Sequence, residues 1–317
     1  MGRVLVAGTG TGTGMGKTTV CLALIAALLG LAAPALAAPV RDMTGREVEV
    51  SRTVTRVVSL APSLTEILFA LGAGDLTVGV TDFCDYPPAA AVKPKVGTVL
   101  APNPEVILAL EPDLVLATTD GNRQETVLLL ERLGLPVFVL RPEGMEGIYA
   151  SIRSVGRLLG RPTRASALVE VMRSRVAWVA RQVRGRPRVR VLYVLWPDPL
   201  ITAGRGSVID ALIAVAGGEN VAGGIALRYP RLGLEEVLRV DPQVILLAGM
   251  GSRPLRPEAV RGWEGWQVFS AVQAGKVRSL DGDLLHRPGP RIVEGLEAMA
   301  RALHPDAFPP SSQEAGQ

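Results

Sequence analysis

Residues 105–117 read EVILALEPDLVLA, and residues 235–248 read EEVLRVDPQVILLA. Each stretch begins with glutamate, continues with an apolar pattern of helical spacing, and is interrupted by a proline. Each then ends in a short run of branched apolar residues, which is typical of a buried strand. Because proline does not continue a helix, both stretches predict a helix, a turn and a strand. The same unit therefore occurs in both halves of the chain.

A second pair of similar stretches occurs in the same order. Ser63-x-x-Glu66 opens an apolar helical segment that ends at Gly72, and Ser207-x-x-Asp210 opens another that ends in glycines. Ser-x-x-Glu is the capping-box pattern, so we predict that Ser63 caps one helix and that Ser207 caps its counterpart. Two matched units in one order indicate two similar lobes.

Between these halves lies a long helical region, residues 145–183, interrupted at Gly160-Arg161-Pro162. On either side of it, short buried-type strands alternate with helices, which favours parallel sheets covered by helices. We therefore predict an α/β fold. Two similar lobes, each with a central, mostly parallel sheet, are bridged by one long rigid helix, and a ligand cleft lies between them.

The start of the chain carries two competing patterns. Gly10 to Thr18, GTGTGMGKT, resembles the P-loop of dethiobiotin synthetases, although Thr11 stands where the strict pattern needs glycine. The uncharged apolar stretch Val20 to Ala33, followed by Ala35-Leu36-Ala37, is typical of a secretory signal peptide. Met15 is a second possible start, with Lys17 as the basic residue.

We predict export, with cleavage after Ala37. No cysteine follows the apolar stretch at a lipidation position, so a soluble extracytoplasmic protein without a lipid anchor is expected. A nucleotide-dependent ligase remains the alternative if residues 1–37 are retained. The predicted segments are a signal peptide (1–37), an N-terminal lobe (38–144), a helical bridge (145–184), a C-terminal lobe (185–305) and a disordered tail (306–317).

Composition narrows the possible functions. The chain is 48% hydrophobic and 20% charged, and its net charge of +4 comes from scattered arginines that are not interleaved with aromatic residues. Nucleic-acid binding is therefore not indicated. Two histidines are too few for a multi-histidine zinc site. After cleavage Cys84 is the remaining cysteine, so no internal disulfide is expected.

The mature chain, residues 40–303, resembles a known family. It is similar to the periplasmic substrate-binding proteins of ABC importers for cobalamin, iron siderophores and haem, in which a rigid helix bridges two lobes. The motif DYPP is most similar to the cobalamin-binding proteins. The resemblance implies a monomeric receptor that is not an enzyme, needs no cofactor, binds a metal chelate and docks on a membrane permease. The stretches that carry it are RVVSLAPSLTEILFALG, VGVTDFCDYPP, NPEVILALEPDLVLA, GGENVA and HRPGPRIVEGLEAMA.

The resemblance also implies ligand-binding residues. Ser63 lies at the first loop that faces the ligand, and Phe83 falls where the cobalamin-binding protein has an aromatic residue against the corrin ring. Tyr229 falls where that protein has tryptophan. Asp283 and Arg287 match an acid and an arginine that contact the ligand.

Other candidates come from the residues around these positions. Tyr86 lies in the same proline-rich loop as Phe83, and Trp196 follows the first strand of the second lobe. His286 is a possible axial metal ligand, although a loop histidine without this role is the simpler interpretation. Val99 and Thr118 stand where the cobalamin-binding protein has tryptophan, so haem or a ferric siderophore remains an alternative ligand.

Glu105 and Glu235 begin the two repeated stretches. They match the surface acids with which the family grips arginines on the permease. A simpler interpretation is that both are acids favoured at a helix N-terminus. We predict a docking role, because the two glutamates occupy equivalent positions in the two lobes.

Overall fold

The computed structural model describes residues 38–249 and 255–308. The predicted signal peptide and the P-loop-like stretch lie outside these residues. The described chain begins with a β-hairpin of strands β1 (Ala38–Arg41) and β2 (Glu47–Val50), which pair antiparallel around a tight turn. The Asp42 carboxylate accepts hydrogen bonds from the backbone N–H groups of Thr44 (2.9 Å) and Arg46 (3.0 Å), which stabilises this turn.

The N-terminal lobe contains a four-stranded parallel sheet. Its strands are β3 (Val57–Ser59), β4 (Thr77–Val80), β5 (Leu114–Thr118) and β6 (Val137–Leu140), in the spatial order β4-β3-β5-β6. Its helices are α1 (Pro62–Ala70), α2 (Pro88–Ala91), α3 (Pro104–Ala109) and α4 (Gln124–Arg132). Every residue of β3, β5 and β6 is buried, as expected for a parallel sheet covered on both faces.

Two helices connect the lobes in sequence, α5 (Gly144–Leu158) and α6 (Pro162–Gln182). The predicted interruption at residues 160–162 separates them, because Pro162 starts a new helix. The 21 residues of α6 correspond to about 30 Å of helix. The bridge region thus consists of two helices that pack against each other rather than of one continuous helix.

The C-terminal lobe repeats the parallel sheet. Its strands are β7 (Val189–Val194), β10 (Gly218–Asn220), β11 (Val244–Leu247) and β12 (Val277–Ser279), and a small hairpin of β8 (Trp196–Pro197) and β9 (Leu200–Ile201) follows β7. Its helices are α7 (Val208–Val215), α8 (Leu234–Val240), α9 (Ser270–Gln273), α10 (Gly282–His286) and α11 (Ile292–Leu303). Three short 3₁₀ helices are Pro257–Gly262, Trp266–Val268 and Pro305–Ala307.

The two sheets share one topology. The second sheet has the order β10-β7-β11-β12, which corresponds strand for strand to β4-β3-β5-β6. In each lobe the first strand lies inside the sheet, the second lies at its edge, and the third and fourth continue on the other side. The predicted α/β fold of two similar lobes is confirmed.

The predicted capping box at Ser63 is wrong. Helix α1 begins two residues earlier than this cap requires, at Pro62, and its N-cap Ala61 offers no side chain to cap it. Proline at this position has no N–H that needs a partner, and its fixed φ favours a helix start. In the other lobe the prediction is confirmed, since the Ser207 hydroxyl accepts a hydrogen bond from the Asp210 N–H at 3.1 Å.

The predicted disordered tail also begins too early. Residues 305–307 form a 3₁₀ helix, and the following Phe308 is buried against Trp178, with 5.4 Å between the ring centroids. Burying this aromatic ring stabilises the end of the chain as far as residue 308. Residues 309–317 lie outside the described part of the chain.

Candidate functional site: the cleft between the lobes

A cavity of about 330 Å³ lies between the lobes. Asp120 and Gly121, which follow strand β5, line it from the N-terminal lobe, and Leu195, which follows β7, lines it from the C-terminal lobe. Parallel α/β sheets bind ligands beyond the carboxyl ends of their strands, so this is the expected position of a site. Its other lining residues are Val208, Ile209, Tyr229, Leu285, His286 and Pro288.

The loop after strand β4 is anchored by a buried cysteine. The Cys84 thiol contacts the hydroxyl groups of Thr65 and Thr81, each at 3.1 Å, and burial raises its pKa. With Cys84 held inside, the neighbouring Phe83 and Tyr86 remain exposed. The loop therefore presents two aromatic rings from a fixed backbone.

Five charged side chains join the lobes at one edge of the cleft, and we call them the interlobe charge cluster: Glu66, Asp85, Asp283, Arg287 and Arg291. Arg287 lies 2.6 Å from the Asp85 carboxylate and 2.8 Å from that of Asp283. Arg291 donates two hydrogen bonds to Glu66, at 2.6 and 3.0 Å. Glu66 and Asp85 belong to the N-terminal lobe and the arginines follow helix α10, so their ion pairs cross from one lobe to the other, whereas the Arg287–Asp283 pair lies within the C-terminal lobe.

Burial and charge oppose each other within the interlobe charge cluster. Burial raises the pKa of Glu66, and the guanidinium groups of Arg291 and Arg287 oppose that rise. The hydrogen bond from Arg287 lowers the pKa of Asp85. Arg287 is only 8% exposed. A ligand that binds the Arg287 guanidinium must therefore compete with Asp85 and Asp283.

Charged and aromatic groups also meet at another edge of the cleft. Arg228 of the C-terminal lobe forms an ion pair with Glu143, which directly precedes helix α5. Burial raises the pKa of Asp120, and burial together with the Asp120 charge raises the pKa of Tyr229 to about 12. The Tyr229 phenol therefore remains protonated and can donate a hydrogen bond into the cleft.

His286 lines the cavity with its ring, and one of its two nitrogens is engaged in a hydrogen bond. Its Nε2 lies 2.9 Å from the hydroxyl of the buried Tyr193, and its Nδ1 is buried without a hydrogen-bond partner. Burial lowers the pKa of His286 to about 4, so the ring is neutral at physiological pH. Metal ligation through Nε2 would require breaking the Tyr193 hydrogen bond. The predicted axial role remains a prediction that this geometry does not favour.

The aromatic residues predicted to bind ligand share one property. Among the described residues, only four aromatic side chains have more than a third of their surface exposed. They are Phe83 (58%), Trp196 (46%), Tyr229 (45%) and Tyr86 (44%). Tyr86 lies under the Arg291 guanidinium, 3.8 Å from its ring centroid, and Trp196 donates a hydrogen bond to the Asp198 carbonyl at 2.8 Å. All four rings follow strands at the cleft side of their sheets or line the cavity.

The predicted polar residues have different surroundings. Asp283 and Arg287 belong to the interlobe charge cluster, whereas Ser63 is buried in the first turn of α1, beside Gly289. Glu66, Asp85 and Arg291 were not predicted from the sequence as site residues. Asp85 and Arg291 stand in motifs that were recognised, but Asp85 is 202 residues from its partner and Glu66 is 225 residues from Arg291. Spacing in the sequence gives no signal for such pairs.

The two predicted docking glutamates lie at equivalent places. Glu105 is in the first turn of α3, where the Asn103 side chain accepts its backbone N–H at 2.9 Å, and Glu235 is in the first turn of α8. Both side chains are exposed. Each helix also exposes apolar side chains, Val106 and Leu108 on α3 and Leu238 and Val240 on α8. The helices thus present a carboxylate beside apolar surface.

Within residues 38–249 and 255–308, no group of three or more His, Cys, Asp or Glu side chains is arranged to hold a metal ion. In the same part of the chain, no helix combines the length and the apolar character that crossing a membrane requires.

Known proteins are similar to this chain in sequence and in fold. A vitamin B12-binding protein of Vibrio cholerae is 31% identical over 252 residues, which are 78% of this chain and 88% of that protein. The crystal structure of the periplasmic vitamin B12-binding protein of Vibrio cholerae matches with a TM-score of 0.70 at 30% identity, covering 80% of this chain and 98% of that one. A periplasmic haem-binding protein of Pseudomonas aeruginosa gives a TM-score of 0.72 at 29% identity, with coverages of 82% and 96%.

The chain also matches a protein family over residues 57–284, the family described as periplasmic binding protein. This range contains both parallel sheets and the two helices between them, so it accounts for both lobes. Residues 10–18, on which the ligase alternative rests, lie outside it. The chain therefore belongs to the periplasmic binding protein family, whose members bind substrates for ABC transporters and are not enzymes.

Proposed function

We propose that the protein captures a corrinoid, cobalamin, in the cleft between its lobes and delivers it to the permease of an ABC importer. The observation that carries this proposal is the position of the exposed aromatic rings. Tyr86 is exposed, but its ring lies under the Arg291 guanidinium. Phe83 and Trp196, which follow strands β4 and β7, keep apolar ring faces exposed, and so does Tyr229, which lines the cavity. Such faces suit a flat, partly apolar macrocycle, which buries its own faces against them. The 31% identity to a vitamin B12-binding protein favours a corrinoid.

Polar contacts add orientation to this apolar burial. Asp283 and Arg287 are the proposed ligand-contacting charges, and the Tyr229 hydroxyl is a hydrogen-bond donor beside the cavity. The cavity of about 330 Å³ is small for a macrocyclic chelate. Binding therefore requires the lobes or the cleft loops to move apart, with exchange of interlobe ion pairs for contacts with the ligand.

Haem is the second candidate ligand, and one departure from the cobalamin-binding protein motivates it. Thr118, which stands where the cobalamin-binding protein has tryptophan, is only 1% exposed, and its hydroxyl accepts a hydrogen bond from the Asp120 N–H at 3.2 Å. The cleft thus lacks an aromatic face at this point. A haem-binding protein is also similar in sequence and fold, at 29% identity. A ferric siderophore is the third ligand to test.

Spectral titration separates these ligands. Purified protein is mixed with cobalamin, haemin or a ferric hydroxamate, and binding is followed by the absorbance of the ligand and by equilibrium dialysis. We expect saturable binding of cobalamin at micromolar concentration or below. Binding of haemin or of the ferric chelate without binding of cobalamin would overturn the proposed ligand.

A matched pair of variants tests the aromatic cleft. Tyr229→Ala should weaken ligand binding about tenfold, because it removes a stacking face and a hydrogen-bond donor. Leu227→Ala removes an exposed apolar side chain two residues away, 65% exposed, which does not line the cavity. Equal effects of the two substitutions would show that Tyr229 has no specific role.

Delivery to the permease rests on Glu105 and Glu235. We propose that both carboxylates form charge-assisted pairs with permease arginines, and that the mature protein acts as an exported, soluble monomer without a lipid anchor. A Glu105→Ala/Glu235→Ala variant should bind ligand normally and fail to support uptake. The control is Glu125→Ala/Glu258→Ala, which removes two exposed glutamates from the first turns of other helices. Unimpaired uptake by the first variant would contradict the docking role.

A further inference from the structure

A second large depression, which we call the C-lobe groove, lies on the C-terminal lobe. Its volume is about 810 Å³. Residues 197–200 of the β8–β9 hairpin line one part of it, residues 262–266 line another, and Leu232 and Leu234 complete the apolar lining. None of the residues that line the interlobe cavity lines this groove, so the two are separate sites.

One wall of the C-lobe groove is held rigidly by aromatic packing. Trp263 meets Trp266 edge to face, with 4.8 Å between ring centroids, and Trp266 meets Phe269 at 5.5 Å. Trp266 is 3% exposed and Phe269 is fully buried in the core of the lobe. The groove is therefore preformed, and a partner that fills it loses little free energy to reorganisation.

The C-lobe groove continues into the proposed docking surface. Leu234, which lines it, is the first residue of helix α8, and the next residue is Glu235. Further along this helix Leu238 is 50% exposed and Val240 is 38% exposed. The groove and the helix thus form one apolar stripe that carries the docking glutamate.

Charge indicates what the groove binds. The groove lining contains two acidic residues, Asp198 in the hairpin and Glu264 in the opposite wall, and both are exposed. With the neighbouring Glu235, three carboxylates border the apolar surface of the groove. Helix α8 adds Glu236, which accepts a hydrogen bond from the Gly233 N–H, and one basic residue, Arg239, so acidic groups outnumber basic ones. An apolar segment that also carries arginine or lysine is complementary to it.

The N-terminal lobe is built differently at the equivalent place. The loop before α3 closes on itself, since Gly97 and Pro102 form a backbone bridge and Pro102 is buried. A Cβ atom at Gly97 would lie 2.9 Å from the Ala101 carbonyl oxygen, which shows how closely this loop packs. The segment before α8 instead pairs with β9 through Arg231 and Ile201 and leaves the groove beside it.

We propose that the C-lobe groove seats an apolar, basic segment of the extracytoplasmic surface of the permease, so that the two lobes dock unequally. This proposal rests on the proposed function. The groove adds a second docking contact beside Glu235. This contact belongs to the C-terminal lobe, so it distinguishes that lobe from the N-terminal lobe during docking.

The test fills the groove without disturbing the fold. A Cβ atom at Gly262 meets nothing within 4 Å, so Gly262→Trp places a large side chain in the groove without backbone strain. Gly224→Trp is the matched control, because a Cβ atom at Gly224 is equally free and this residue does not line the groove. Each protein is assayed for cobalamin binding and for binding to the importer embedded in nanodiscs.

We expect Gly262→Trp to bind cobalamin like wild type and to bind the importer at least tenfold more weakly, whereas Gly224→Trp should bind the importer like wild type. Unchanged importer binding by Gly262→Trp would overturn the groove proposal. Loss of cobalamin binding by this variant alone would assign the groove to the small molecule, and that would also overturn it. If wild type itself binds neither cobalamin nor the importer, the proposed function is what fails.

A charge reversal tests the acidic rim. Glu264→Lys should weaken importer binding severalfold, with a smaller difference from wild type at high salt. Glu258→Lys makes the same change in net charge at an exposed residue of the same segment that does not line the groove. Equal weakening by both variants would mean that net charge, and not the groove, determines the effect.

Discussion

Helices α1 and α7 follow the first strands of their sheets, and both begin near a serine that precedes an acid by three residues. In α7 the Ser207 hydroxyl caps the helix, and Asp210 accepts a hydrogen bond from Asn220 at 2.8 Å within its own lobe. In α1 Pro62 starts the helix without a cap, and Glu66 pairs with Arg291 of the other lobe. One sequence pattern thus stabilises a single lobe in one place and joins two lobes in the other.

This difference identifies α1 as part of the interlobe contact. Glu66 is 3% exposed and lies against two arginines that come from beyond residue 286. A buried carboxylate is costly to leave without its guanidinium partners. The contribution of Glu66 to stability therefore depends on how both lobes are arranged. Asp210 is only partly buried and depends on its own lobe alone.

Removing each acid in a separate variant should give the largest difference in stability between helices α1 and α7. Glu66→Ala should lower the free energy of unfolding by about 3 kcal/mol, because it leaves buried guanidinium charge without its carboxylate. Asp210→Ala should cost about 1 kcal/mol, the typical contribution of a hydrogen bond. Urea denaturation followed by circular dichroism measures both values. Equal losses would contradict the distinction between the two helices.

The dependence of stability on pH probes the C-terminal side of the cleft through His286, which is bonded to Tyr193 of its own lobe. Its pKa is lowered from 6.5 to about 4 by burial, and the charge of Asp281 opposes that shift. As the pH falls below 6.5, the unfolded chain binds a proton that the folded protein does not bind. Stability should therefore decrease by about 3 kcal/mol between pH 6.5 and pH 4 and then change no further through this group.

The measurement is urea denaturation of wild type and His286→Gln at a series of pH values. Acid loss of ion pairs such as Asp85–Arg287 affects both proteins, since the lowered pKa of Asp85 confines its contribution to pH values near and below 3.8. The variant should lack the decrease between pH 6.5 and pH 4. An identical profile for both proteins would refute the assignment to His286.

The serines provide a smaller contrast. Ser207→Ala should lower the free energy of unfolding by about 1 kcal/mol, since it removes an N-cap hydrogen bond. Ser63→Ala should change it by no more than about 0.5 kcal/mol, because Ser63 caps nothing. Thermal and urea unfolding of the two variants check this order. A larger loss of stability from Ser63→Ala than from Ser207→Ala would show that the Ser63 hydroxyl makes a more stabilising contact than the Ser207 cap.

The smallest expected effect concerns ligand affinity. Asp85→Asn removes a carboxylate that competes for the Arg287 guanidinium, and the pair is worth about 0.6 kcal/mol because Asp85 is 61% exposed. Ligand binding should therefore become about threefold tighter. Asp82→Asn, at an exposed position of the same loop, is the control. Weaker binding by Asp85→Asn would mean that Asp85 itself contacts the ligand.

Much of the fold could be predicted from the sequence because its signals are local. The stretch from residue 235 predicts a helix, and helix α8 is observed at Leu234–Val240. Helix α1 begins before its predicted start, because Pro62 starts the helix and Ser63 does not cap it. The predicted segment boundaries remain predictions, except that residues 306–308 of the predicted tail are ordered.

The candidate site was only partly predictable. The exposed aromatic residues and the surface glutamates carried a signal in the motifs of the resemblance. The partners of Arg287 and Arg291 carried none, because residues more than 200 positions apart meet through the packing of whole lobes. The C-lobe groove likewise has no signal in any single stretch, as three separate segments line it.

By itself, the sequence determined the strands and helices, the repetition of one α/β unit in two lobes, and the family resemblance. Periodicity, proline, glycine and capping residues act over a few positions, so they can be read directly. The packing of the lobes decides which acid is bonded within its own lobe and which one pairs with the other lobe: Asp210 accepts from Asn220, and Glu66 pairs with Arg291. That choice depends on burial and on charges brought together from distant segments, and both arise when the two lobes pack.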